Sequence, residues 1–140
     1  MAFFQKIPVQ WPLRLGLGLT YLYSGFELFN QPLLWRSFLP VWYANFVSGI
    51  LSVELYLRLQ GIVEIVMGLL FLAWFAGKLG VRIAAVYVAL EMAFILVFTG
   101  IDLITFRDIG LLGAAIALFI LTFPQPSQEK PSLLQNQNRL

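Results

Sequence analysis

Four long apolar runs dominate the chain, and short polar or Gly/Pro-containing breaks separate them. The first covers about Leu13 to Phe29 (LRLGLGLTYLYSGFELF). Pro12 stands at its start, where a missing N–H is harmless, and Asn30-Gln31-Pro32 ends it. The second covers about Leu51 to Ala76, with Gly77 and Gly80 around the turn that follows. The third covers about Val81 to Thr99 and the fourth about Asp108 to Phe123. Thr105 or Asp108 is the expected N-cap of the fourth, and Pro124 its stop. A membrane-spanning helix needs roughly 17–25 residues, so the first and fourth runs span only if they extend into their flanks. The pattern predicts an all-α fold, an integral membrane four-helix bundle.

Between the first two runs lies Gln31 to Gly49 (QPLLWRSFLPVWYANFVSG). Pro40, Asn45 and Gly49 argue against a fifth span. Trp35, Phe38, Trp42 and Phe46 recur at helical spacing, which predicts one aromatic face. Tryptophan and tyrosine favour the membrane–water boundary, so the segment is expected to lie on the bilayer. It is either a loop with aromatic anchors or a lid over a site.

Composition agrees with this placement. The chain is 60% hydrophobic and only 11% charged, whereas a soluble domain carries roughly 25% charged residues. Its mean hydropathy is +0.84. So little charge cannot coat a water-facing surface. The expected organisation is one transmembrane domain over 1–124 and a flexible polar tail over 125–140. A net charge of +2 without any Lys/Arg cluster speaks against nucleic-acid binding. Without cysteine the chain has no disulfide, thiol centre or iron–sulfur cluster, and without histidine it lacks the commonest metal ligand. No metal site is expected.

With four spans, Lys6, Arg14, Lys78, Arg82, Lys130 and Arg139 share one side and Arg36, Arg58 and Arg107 the other. That imbalance predicts a multi-pass membrane protein with both termini in the cytoplasm. The first residues (MAFFQKIPVQWP) do not read as a cleavable signal.

Chemistry enters through Glu27, Glu64 and Glu91, which interrupt apolar runs. A central carboxylate in a membrane helix costs about 2.5–3.5 kcal/mol, so such residues usually face a bundle interior and mark a site or a pairing. Helical spacing groups Gly16, Thr20, Tyr23, Ser24 and Glu27 on the first run, and Gln60, Gly61, Glu64 and Gly68 on the second. Tyr87 and Glu91 lie a turn apart on the third. Gly110, Gly113, Ala114 and Ala117 give the fourth a small-residue face suited to close helix contact. At a rise of about 1.5 Å per residue, the glutamates fall between the midplane and the outer half. They predict a polar pocket open to the non-cytoplasmic side, with Arg107 as counter-ion. Neutral glutamates there would donate to Tyr23 or Tyr87. Glu54 and Arg58 are expected to form a surface ion pair, and Arg14, Lys78 and Arg82 to act as topology anchors.

In order along the chain, Ser24-Gly25-Phe26, Val63-Glu64-Ile65-Val66-Met67-Gly68, Arg82 and Arg107-Asp108-Ile109-Gly110-Leu111-Leu112-Gly113-Ala114 make the sequence resemble the DoxX-like family of small bacterial membrane proteins. The resemblance covers about Leu13 to Thr122. It implies four membrane helices and a place in oxidoreductase assemblies, including a thiosulfate:quinone oxidoreductase subunit. By position, Glu64 and Arg107-Asp108 are the family-matching polar residues. Where members often carry a lysine, Glu27-Leu28 follows Phe26.

Three functions compete. The leading expectation is a non-catalytic accessory subunit of a larger membrane redox or photosynthetic complex. It would bind lipid, quinone or other membrane subunits through the Trp35–Phe46 segment, small-residue helix faces or the tail. The second is a quinone-linked oxidoreductase subunit in which Glu64, Glu91, Tyr23 or Tyr87 supplies protons. The third is a small proton-coupled carrier.

Overall fold

A computed structural model describes residues 8–124. Among these residues all regular structure is helical. Helix α1 is Gln10–Asn30, α2 Pro32–Trp35, α3 Val41–Ser48, α4 Val53–Leu72, α5 Gly77–Phe98 and α6 Phe106–Leu121; a 3-10 turn, Arg36–Phe38, joins α2 to α3. Helices α4 and α5 are long and apolar enough to cross a membrane. The expected polar tail, 125–140, lies outside the described residues.

Four glycines set the tightest contact. A Cβ on Gly25 would stand 2.6 Å from the Gly61 carbonyl oxygen, and one on Gly68 2.9 Å from that of Gly18. Gly25 therefore faces Gly61 and Gly18 faces Gly68, so α1 and α4 run antiparallel with backbones in contact. Helix α5 pairs with α6, α4 also packs on α5, and α1 on α6, which closes a ring of four. Apolar side chains fill the end where α1 begins: Leu17, Tyr21, Phe71, Val81, Ala85, Val88 and Leu118 belong to this core.

The glycine contact turns α1 away from its expected orientation. Its buried positions are Arg14, Leu17, Gly18, Tyr21, Gly25 and Leu28. Tyr23, expected inside, is 71% exposed. Thr20 is exposed too, its hydroxyl donating to the Gly16 carbonyl one turn back at 2.9 Å. Helix α6 is likewise rotated. Nothing approaches within 4 Å of a Cβ placed on Gly110 or Gly113. Asp108, Ala115 and Leu118 are its buried residues instead, so the predicted small-residue face is not the packed one.

Arginines finish three helices. Arg14 is buried, and it donates from Nε to the Phe71 carbonyl at 2.7 Å and from Nη2 to Ala73 at 2.5 Å. These are C-terminal carbonyls of α4 that its own ladder leaves open. The second apolar run thus ends as helix at Leu72, not Ala76, with Ala73 extended. Arg82 donates to the Thr122 hydroxyl at 3.1 Å beyond α6 and lies 4.1 Å over the Phe123 ring. Arg58 reaches the Phe29 carbonyl of α1 at 3.2 Å while pairing with Glu54 at 2.9 Å. Arg14 and Arg82 are therefore helix caps, a role the expectation of topology anchors did not include.

Thr105 is the N-cap residue of α6, as expected, but its side chain makes no cap hydrogen bond to the helix. The Asp102 carboxylate accepts from the backbone N–H groups of Ile104 and Thr105, both at 2.7 Å, and the Thr105 hydroxyl accepts from the Asp102 N–H at 2.8 Å. This reciprocal box braces the turn that leads into the N-cap Thr105. The N–H bonds from Thr105 and Ile104 hold the Asp102 pKa below the usual carboxylate range. The sign follows from that depression. The contribution to stability is complete above the unfolded value of about 3.9 and disappears as pH falls through the lower folded one. Melting of the purified chain should decline in that acid window, and Asp102→Asn, which keeps an acceptor but cannot titrate, should remove that part of the decline.

Candidate functional site

Above the apolar core the four long helices separate around a cavity of about 990 Å³. Its floor is built on Glu91. The Tyr21 hydroxyl of α1 donates to Glu91 Oε2 at 2.7 Å. Gln60 Nε2 of α4 donates to Glu91 Oε1 and also to the Tyr87 hydroxyl at 2.8 Å. Both oxygens of this half-buried carboxyl are thus engaged by side chains from neighbouring helices.

Glu64 is different. It is 6% exposed, and its Oε2 has no hydrogen-bond partner. An orphaned buried oxygen costs about 1–3 kcal/mol relative to a satisfied one, so its presence on a cavity wall calls for an explanation.

The connecting segment roofs the cavity. Trp35, Phe38, Leu39 and Tyr43 all line it. The Tyr43 and Tyr56 hydroxyls share a hydrogen bond of 3.0 Å, and Tyr56 reaches Gln60 Oε1 at 3.5 Å. A continuous polar chain therefore runs from α3 through Gln60 to Glu91 and Tyr21. The Trp42 ring packs on Phe98 with centroids 5.4 Å apart, and the Thr99 hydroxyl donates to the Phe38 carbonyl at 3.1 Å. The segment, expected as either an anchored loop or a lid, packs against α5 and borders the cavity. The single aromatic face is broken. Leu39 and Pro40 separate the 3-10 turn from α3, leaving Trp35 and Phe38 on the cavity and Phe46 64% exposed.

Glu27 and Arg107 stand at the rim. Gln31 Nε2 lies 3.4 Å from Glu27 Oε2. Arg107, 59% exposed, pairs with its neighbour Asp108 at 3.7 Å. Among the described residues its ion-pair partner is Asp108, not one of the three glutamates for which it was expected as counter-ion.

All six residues singled out from the sequence (Glu27, Glu64, Glu91, Tyr23, Tyr87 and Arg107) border this one cavity. Tyr21, Tyr43 and Tyr56 were not anticipated, and Gln60 had been placed only on a polar stripe. The signal for Tyr21 was its spacing from Gly18 and Gly25, which share its face. No group of carboxylates suited to hold a metal ion occurs among the described residues. The arrangement can accept hydrogen bonds, hold a proton and enclose an amphipathic molecule. No family model, curated protein or solved structure matches the chain.

Proposed function

We propose that the chain is a multi-pass inner-membrane protein of DoxX-like kind, with four spans and both termini cytoplasmic. It serves as a non-catalytic accessory subunit that holds a small amphipathic ligand in its cavity. The observation that carries this reading is the cavity itself: a polar floor with an unpartnered carboxyl oxygen beneath an aromatic roof, in a chain whose outward surface is apolar.

The outward faces support the membrane placement. Leu55, Leu59, Ile62, Val66 and Leu69 form an exposed apolar strip on α4, and Ile83, Val86, Leu90 and Val97 one on α5. Such continuous exposed apolar surface suits lipid and not water. Exposed Trp42 and Phe46, with Gly110 and Gly113 on α6, are where a partner subunit would seat. A place in a redox assembly follows from the family resemblance.

The absence of cysteine allows a direct test. In intact cells, a membrane-impermeant maleimide should label Leu103→Cys from outside and leave Lys78→Cys unlabelled until the membrane is opened. Purification from native membranes in mild detergent should yield a stoichiometric complex that retains a small molecule. Reversed labelling would refute the orientation, and recovery of the free chain alone would refute the accessory role.

A further inference from the structure

We propose that the cavity is built for a lipophilic organic cation, an ammonium- or phosphonium-type head on an apolar body, with Glu64 as its counter-ion. This rests on the reading of the cavity as a ligand site and names the class of ligand.

The first argument is the balance of donors and acceptors. Several side-chain donors on the cavity wall are already engaged. Tyr21 donates to Glu91, Gln60 Nε2 serves both Glu91 and Tyr87, and Tyr43 and Tyr56 share their hydroxyls with each other. Arg107 is turned to Asp108. Glu64 Oε2 is buried and unpartnered. A cation, or an N–H-bearing head, supplies what is missing.

The second argument is charge. Glu27, Glu64, Glu91 and Asp108 all border the cavity, against one basic residue, Arg107. Arg14 and Arg82 are committed to helix ends at the opposite pole and Arg58 to Glu54 and Phe29, and Arg36 does not line the cavity. An excess of acidic groups around a low-dielectric space favours a cation within it.

The third argument is the wall. Tyr21, Tyr43, Tyr56, Tyr87, Trp35 and Phe94 surround the acidic floor. Aromatic rings around an anionic centre stabilise organic ammonium groups through the negative faces of the rings, and desolvation strengthens the effect. The volume of about 990 Å³ lies at the upper end of small-molecule sites. A bulky hydrophobic cation fits it better than a bare ion.

The test uses the full chain in lipid nanodiscs, titrated calorimetrically with tetraphenylphosphonium and, separately, with decylubiquinone and its quinol. Saturable cation binding is expected. Glu64→Gln should weaken it roughly 100-fold, the loss typical of removing one partner of a buried charge pair. Glu54→Gln, on the outer surface, should leave it unchanged. In the unaltered protein, saturating cation should also protect Glu64 from modification by a hydrophobic carbodiimide, mapped by mass spectrometry, so the test does not depend on the variant folding. Quinone or quinol binding without cation binding overturns the cation assignment and leaves the ligand-site reading intact. Binding of neither class overturns the ligand-site reading itself. Cation uptake that does not respond to Glu64→Gln and does not protect Glu64 is partition into lipid, and also overturns the assignment.

Discussion

Gly25→Val should be among the most damaging single changes in the protein. A Cβ at this position would lie 2.6 Å from the Gly61 carbonyl oxygen, 2.8 Å from the Ile65 nitrogen and 2.9 Å from the Glu64 Cβ. Two of these three atoms belong to the backbone of a regular helix, which cannot move aside alone, so α1 and α4 must separate. Overpacking of a close contact costs about 1–3 kcal/mol, and a branched side chain between two backbones belongs at the upper limit. The effect reaches the cavity, because Glu64, whose Cβ lies at this contact, lines it. Detergent-induced unfolding should shift by about 3 kcal/mol for Gly25→Val. Gly16→Ala, which meets nothing within 4 Å, should be neutral or up to about 1 kcal/mol stabilising. Gly61→Ala added to Gly25→Ala should cost less than it does alone, since the helices have already parted. Equal effects at Gly16 and Gly25 would show that the close contact does not hold the pair together.

Arg14→Met is the second large effect. Methionine keeps much of the apolar stem but removes donors to the Phe71 and Ala73 carbonyls, at 2.7 and 2.5 Å. Hydrogen bonds with a charged partner contribute about 1.5–3 kcal/mol, and a buried acceptor left alone adds its own penalty. A loss of roughly 3 kcal/mol is expected in the same unfolding experiment. Arg14→Lys should recover only part of it, because an ammonium cannot match the fork that spans two carbonyls. Hydrogen exchange gives the local signature. Amides in the last turn of α4 and the Ala73–Ala76 turn should lose protection first. If Arg14 acted only as a topology anchor, lysine would replace it fully.

Much of this protein was legible along the chain because hydrophobicity and breaks are local properties. The apolar runs located the four long helices, with ends shifted by a few residues. Glu64 and Glu91 stood out because a carboxyl within an apolar run needs a partner or a cavity. Pro124 after α6 is an equally local signal, whereas Ser52, whose hydroxyl accepts from the Leu55 N–H at 3.2 Å, was read as part of the second run.

Other features depended on packing. Two stripes of α1 had helical spacing, one holding Gly16, Thr20, Tyr23 and Glu27, the other Gly18, Tyr21 and Gly25. Periodicity alone weighs them alike, and polarity favoured the first. The choice fell to the second because only there do glycines meet glycines of α4 closely enough for backbone contact. That rotation placed Tyr21, not Tyr23, on Glu91. The roles of Arg14, Arg58 and Arg82 were hidden for a related reason. A helix's open carbonyls can be met by a residue far away in sequence, as the 57 positions between Arg14 and Phe71 illustrate. The roof arose in the same way, since Trp42 finds Phe98 and Thr99 finds Phe38 only once α5 is in place. Local pattern thus determined the helical, membrane-suited character of the chain and which carboxyls would be costly. Which face of each helix turns inward, and what each buried polar group touches, was decided by tertiary contacts, because those choices minimise the energy of whole helix pairs and not of single segments.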